Sequence, residues 1–197
     1  MSQLVLGTVQ FGLDYGITNT AGEIPDDAVV EMLEFAQSQG IHIFDTAADY
    51  GNSQQRLGQL APAGSTPGYV TKFSLPTDGS EPTTANIFQN SMDLLQVERL
   101  YGVLFHKLSD LSDPRFDSTL NILRSARDRE LVSRIGVSIY NLDELKLALS
   151  VFPDLDLLQL PANILDLNLL ESDEVLQLKE NGVEVHVRSV FLQGLLL

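Results

Sequence analysis

The stretch Ile41-His42-Ile43-Phe44-Asp45-Thr46-Ala47-Ala48-Asp49-Tyr50-Gly51 decides the fold. It opens as a short apolar run, the pattern of a strand buried on both faces. It ends abruptly in a carboxylate, Asp45, and presents a phenol, Tyr50, five residues on. Two later runs end the same way. Gly68-Tyr69-Val70-Thr71-Lys72 finishes in an amine, and Leu100-Tyr101-Gly102-Val103-Leu104-Phe105-His106 finishes in an imidazole. Parallel strands would carry all four groups to one end of a sheet or barrel.

Working outward, strand and helix patterns alternate along the whole chain. Leu4–Thr8 reads as a first strand, and the polar, Gly-rich stretch Gln10–Ile24 as a loop. Pro25-Asp26-Asp27 opens a helix with acids in its first turn, and Gly40 stands where a C-cap glycine belongs. Ser53 is placed to cap a short helix reaching Leu60, and Thr83–Gln96 reads as another. Further strands are expected at Val132–Val137, Leu155–Leu160 and Val183–Val187, with helices from Asp113 to Glu130, Leu142 to Val151 and Leu170 to Glu180. Such alternation implies parallel strands joined by crossover helices.

Two architectures satisfy that order, an open doubly wound sheet and a closed barrel. The first strand is followed by Gly7-Thr8-Val9-Gln10-Phe11-Gly12, which does not match the G-x-G-x-x-G of a dinucleotide-binding sheet. Polar groups at the ends of several different strands favour a (β/α)8 TIM barrel, whose active sites gather at that face. About seven strands can be counted in 197 residues, against eight in the usual ~250. The expectation is one barrel domain over residues 1–197, incomplete at its C-terminal end after Leu195-Leu196-Leu197. An unclosed barrel has two unpaired edges through which chains can self-associate.

Charge and composition narrow the partners. With 27 acidic and 12 basic residues the net charge is −15, which argues against nucleic acid and anionic membranes. No run reaches the roughly 20 apolar residues of a membrane span. The start lacks the pattern of a secretion signal, so the cytoplasm is the default location. There is no cysteine, hence neither disulfides nor thiolate chemistry. The acids Asp154, Asp156, Asp166, Glu171, Asp173 and Glu174 lack metal-ligand spacing and read as solvated faces. His42, inside an apolar run, reads as a structural histidine, as does His186.

The four strand-end groups make a proton-transfer site. A tyrosine hydroxyl titrates near ~10, and a neighbouring ammonium lowers that value. Lys72 is placed to do this for Tyr50, with Asp45 to hold Lys72 and His106 to orient a substrate oxygen. Together they can protonate a carbonyl under reduction. The electron pair must come from a cofactor, for which nicotinamide is the natural candidate. Two alternatives remain open: Lys72 as a Schiff-base nucleophile in a lyase, or a catalytically silent barrel fragment that binds or assembles.

Gly7-Thr8, the string Asp45-Thr46-Ala47-x-x-Tyr50-Gly51-x-Ser53-x-x-x-Leu57-Gly58, Thr71-Lys72 and His106 resemble the aldo/keto reductase superfamily. The resemblance continues through Ile135-Gly136-Val137-Ser138, Gln159 and Gly194-Leu195-Leu196. It implies a (β/α)8 barrel that reduces aldehydes or ketones with NADPH. It also implies Tyr50 as general acid, with Lys72, Asp45 and His106 assisting. By the same resemblance Gly7, Thr8, Asp45, Ser138, Gln159, Arg188, Ser189, Phe191 and Gln193 contribute to the cofactor site. Ser138 and Gln159 would hold the carboxamide, Asp45 the nicotinamide ribose, and the backbone of Ser189–Gln193 the pyrophosphate path. Three positions depart from the family pattern. Ile139 stands where the family usually has Asn, Gln54 stands for the usual Glu, and Arg188 replaces an aromatic that stacks on nicotinamide. The grip on the adenosine 2′-phosphate belongs to an eighth unit beyond the seven strands counted.

Overall fold

The computed structural model describes residues 3–197. Seven strands form one sheet in chain order, β1-β2-β3-β4-β5-β6-β7, and every neighbouring pair is parallel. They are β1 (Leu6–Gly7), β2 (Ile43–Asp45), β3 (Gly68–Phe73), β4 (Leu100–Phe105), β5 (Val132–Ser138), β6 (Leu157–Pro161) and β7 (Glu184–Arg188). The crossovers carry α1 (Asp26–Ser38), α2 (Ser53–Leu60), α3 (Asn90–Leu95), α4 (Phe116–Asp128), α5 (Leu142–Val151) and α6 (Asp173–Glu180).

The sheet curls. Gln159 on β6 donates from Nε2 to Oδ1 of Asp45 on β2 at 2.8 Å, a contact between strands four places apart in the sheet. At one end of the seam, Thr18 Oγ1 in the loop after β1 donates to the carbonyl of Gln193, beyond β7, at 3.4 Å. The fold is therefore a (β/α)8-type barrel, incomplete at seven strands. No helix among the described residues is long and apolar enough to cross a membrane.

The period-two pattern of the strands explains two separate apolar regions. Outward residues such as Tyr69, Val103, Phe105, Ile135 and Leu158 pack beneath the helices in the main core. Inward residues Ile43, Val70, Leu104 and Leu157 fill the barrel interior. Gly136 shows how closely β5 and β6 approach: a Cβ there would overlap the Leu157 carbonyl. Above this apolar floor the inward positions turn polar, with Asp45, Lys72, Ser138 and Gln159.

Several elements differ from the sequence reading. β1 keeps only two residues, because Thr8 already bends into a 3-10 turn at Val9–Phe11. The helix expected over Thr83–Gln96 begins as a wide π turn, Ala85–Gln89, before α3. Ser53 is the first residue of α2 rather than its cap; Asn52 precedes it, and the Ser53 hydroxyl donates inward to Thr8 O at 2.9 Å. His42 lies just before β2 and is exposed, not interior, because the strand starts only at Ile43.

Candidate active site

Parallel strands deliver their C-terminal residues to one face, and the barrel brings together the four groups read from sequence. Lys72, at the penultimate position of β3, is 1% exposed. Its ammonium has three oxygen neighbours: Asp45 Oδ2 at 2.8 Å, the Thr46 carbonyl at 2.8 Å and the Tyr50 hydroxyl at 3.4 Å. Nζ also lies 4.9 Å from the centre of the Tyr50 ring. His106, following β4, sets its ring edge-on to Tyr50 with centroids 5.9 Å apart. One site thus holds a phenol, an ammonium, a carboxylate and an imidazole.

A tight loop aims Tyr50. Thr46 N and Ala48 N donate to Val70 O and Lys72 O, so the chain after β2 runs along the end of β3. Gly51 then turns with φ +55°, and a Cβ on it would overlap the Gly12 carbonyl. The glycine in the Tyr50-Gly51 pair is there because two backbones touch.

Burial is the largest influence on the titration of Tyr50, Lys72 and His106. The Tyr50 phenol is pushed well above its ordinary value, first by desolvation and then by the Asp45 carboxylate, while Arg188 opposes. This differs from the expectation that Lys72 would lower it. Asp45 lies 2.8 Å from the ammonium and neutralises much of its field at the hydroxyl. The Lys72 ammonium is itself pushed down by desolvation, against the support of Asp45. The His106 imidazole is pushed down by burial and then by Lys72, while Asp49 and Asp45 push it back up.

The residues assigned to a cofactor divide into groups. Ser138, the last residue of β5, and Gln159, in the middle of β6, are buried side by side, with Ser138 Oγ donating to Gln159 Oε1 at 3.3 Å. They offer the donor and acceptor pair that a primary carboxamide needs, and so fit a nicotinamide. A Cβ on Gly7 would meet nothing within 4 Å, which leaves open space beside β1. Thr8 faces away: its hydroxyl donates to Asp45 O at 2.9 Å and meets Ser53 Oγ at 3.1 Å. Arg188 reaches from β7 to the end of β5. There it stacks 4.1 Å over the exposed Tyr140 ring and donates to Ile139 O at 3.0 Å. Beyond it Ser189, Leu192 and Gln193 all have positive φ, and Phe191 is exposed. Gln54, in place of the usual Glu, serves as a strut, donating to Thr71 Oγ1 at 2.6 Å and Ser91 Oγ at 3.0 Å.

Two neighbours escaped the sequence reading. Asp49 sits 3.4 Å from His106 through Oδ2 and Nδ1, a loop contact that carries no spacing signal. Arg56 is buried and donates to Phe11 O at 2.5 Å, Ile24 O at 2.6 Å, Glu23 Oε1 at 2.9 Å and Asp26 Oδ1 at 2.7 Å. It ties down the long loop after β1. The signal available for it was an arginine on the inner side of a short amphipathic helix.

A parallel barrel thus gathers a phenol, a buried ammonium, a carboxylate, an imidazole and a buried Ser138–Gln159 pair toward one face. The sequence model of the aldo/keto reductase family matches residues 3–197, and the chain belongs to that family. Solved structures share the fold. A candidate aldo-keto reductase from Pseudomonas aeruginosa is 22% identical with a TM-score of 0.76, over 95% of this chain and 73% of its own. An aldo-keto reductase from Bacillus halodurans is 21% identical with a TM-score of 0.75, over 98% of this chain and 64% of its own. A glycerol dehydrogenase from Gluconobacter oxydans is 23% identical with a TM-score of 0.72, over 99% and 62%. No curated protein matches the chain significantly.

Proposed function

We propose that this chain, as one barrel domain, reduces an aldehyde or ketone to an alcohol with NADPH, using Tyr50 as general acid. The observation that carries the reading is the contact of Tyr50 Oη with Lys72 Nζ at 3.4 Å, with Lys72 held in turn by Asp45 at 2.8 Å. A protein of this fold, 18% identical, has been solved in complex with NADPH.

A bound reduced nicotinamide supplies the hydride. The chain supplies the proton and the electrostatics. Tyr50 stays protonated at neutral pH, so the proton is present whenever a carbonyl oxygen arrives. As the proton leaves Oη, negative charge grows on the phenol, and the nearest cation is the Lys72 ammonium. That ammonium cannot swing away, being fixed by Asp45 Oδ2 and Thr46 O. A preorganised charge in a site that excludes water can lower a barrier by about 3 kcal/mol for one donor. His106 stands edge-on beside Tyr50 to meet the same oxygen. Ser138 and Gln159 hold the carboxamide, and Asp45, already bonded to Gln159, spans the cofactor and proton sides of the site.

The test has two parts. NADPH fluorescence is titrated with the protein, and NADPH oxidation is followed with a panel of aldehydes and ketones. Binding with turnover is expected, and Tyr50→Phe is expected to remove turnover while leaving NADPH affinity nearly unchanged. Normal turnover by that variant would refute the assignment. The lowered Lys72 value also suits a Schiff-base amine. Its three oxygen neighbours, the Asp45 carboxylate among them, favour the ammonium, the form with no lone pair to attack. Borohydride trapping of a carbonyl on Lys72 would favour that second reading.

A further inference from the structure

His106 has a ring nitrogen that the reading above leaves unexplained. Nδ1 is buried and has no aligned hydrogen-bond partner. The carboxylate beside it is Asp49, with Oδ2 at 3.4 Å. That distance is within ion-pair reach, but the oxygen lies off the N–H line. Asp49 is half exposed, on the loop between β2 and α2, so a small turn of its carboxylate closes the bond. A second group already steadies it: Ser74, just past β3, donates from Oγ to the same Oδ2 at 3.3 Å. The charges around the imidazole are Asp49 from the loop after β2, Asp45 from β2 itself, and Lys72 from β3. Lys107 follows directly in the chain and is exposed.

We propose that Asp49 is the positioning residue for His106, accepting a hydrogen bond from Nδ1–H and leaving Nε2 as the working nitrogen beside Tyr50. The proposal rests on the reductase reading and deepens it. With Nδ1–H committed to Asp49, the neutral imidazole has only a lone pair at Nε2. It can then accept from an alcohol hydroxyl but cannot donate to a carbonyl oxygen. Only the imidazolium, protonated on both nitrogens, donates from Nε2. His106 thus has two roles: donor in carbonyl reduction at lower pH, and acceptor in alcohol oxidation at higher pH. The carboxylate at position 49 sets where one gives way to the other.

The sign follows from the charges. Burial and Lys72 favour the neutral ring, and Asp49 favours the imidazolium. Removing the Asp49 charge therefore moves the crossover to lower pH. Reduction then loses its donor sooner as pH rises.

The test reads His106 directly and needs no turnover. Long-range 1H–15N NMR of the whole chain follows its three histidines, and His106→Asn assigns the signal. In the wild-type protein the neutral ring is expected as the Nδ1–H tautomer. Asp49→Asn keeps an acceptor but loses the charge; it should retain that tautomer and lower the midpoint by about half a pH unit or more. Asp49→Ala loses both and should free the tautomer. Ser74→Ala leaves Asp49 in place and should give a smaller shift of the same sign, a check that remains if the Asp49 variants do not fold. Asp49→Glu should recover part of the midpoint. A wild-type ring protonated on Nε2, or a midpoint the same with and without the charge, would overturn the proposal. Failure of the reductase reading looks different: the NMR shifts appear, but no carbonyl is turned over.

Discussion

Lys72 Nζ lies 2.8 Å from Asp45 Oδ2, and the lysine side chain is 1% exposed against 15% for the aspartate. The ammonium is therefore the costlier partner to leave alone. Asp45→Asn should destabilise the protein by about 3–5 kcal/mol, as expected when one member of a buried pair is removed. Lys72→Met combined with Asp45→Asn should recover much of that loss. Urea unfolding of the single and double variants measures both. Equal stability of wild type and Asp45→Asn would mean that Lys72 is neutral in the resting site.

Sequence revealed these two residues, with Tyr50 and His106, because strand ends are legible: an apolar run stops in a charged or polar group, and parallel strands stop at the same face. The strand count and most helix spans were legible for the same reason of periodicity. Contacts made by loops were not. Asp49 meets His106 only because the chain after β2 folds along the end of β3. The direction of the Tyr50 shift was not legible, because sequence shows the nearby lysine but neither the burial that pushes the phenol up nor the Asp45 carboxylate held against the ammonium. The resemblance places Thr8 at the cofactor site, while in the fold its hydroxyl bonds Asp45 O and meets Ser53.

Arg56 is the second residue that sequence did not single out, and its four contacts all fall on residues 11 to 26. Arg56→Lys keeps a cation but loses the planar fork that serves several acceptors at once. The stretch from Gly12 to Glu23 should then open to limited proteolysis at a rate several-fold above wild type. Cleavage elsewhere, or no change in rate, would show that this loop is held by its own turns.

Gly51 takes φ +55°, and a Cβ on it would overlap the Gly12 carbonyl. Gly51→Ala should therefore disturb the loop carrying Tyr50 by both strain and contact, without removing any functional group. The expected loss is about 1–3 kcal/mol of stability and a fall in turnover by two orders of magnitude or more. Such a fall is what a misplaced proton donor produces. Measuring kcat and thermal unfolding together separates this outcome from simple unfolding. An active Gly51→Ala protein would show that the turn can relax without moving the phenol.

Alkaline stability offers a prediction with a definite sign. Tyr69 is fully buried under the main core, its ring tilted against Phe44 at 5.9 Å between centroids. Burial pushes its phenol up from 10.0 to about 12. Below pH 10 the phenol is protonated in both folded and unfolded chains, and its contribution to stability is complete. Between pH 10 and about 12 the unfolded chain loses this proton while the folded chain keeps it, so stability falls as pH rises. The difference of about two pH units corresponds to roughly 2.7 kcal/mol by pH 12. Tyr50 acts in the same direction. Lys72 acts in the opposite one: its folded value lies below 10.5, so stability from that group rises until the unfolded chain also deprotonates. Tyr69→Phe keeps the ring and removes the titration. Urea midpoints from pH 8 to 11.5 should therefore fall less steeply for Tyr69→Phe than for wild type. Identical slopes would mean that the buried phenol does not titrate between the folded and unfolded states in this range.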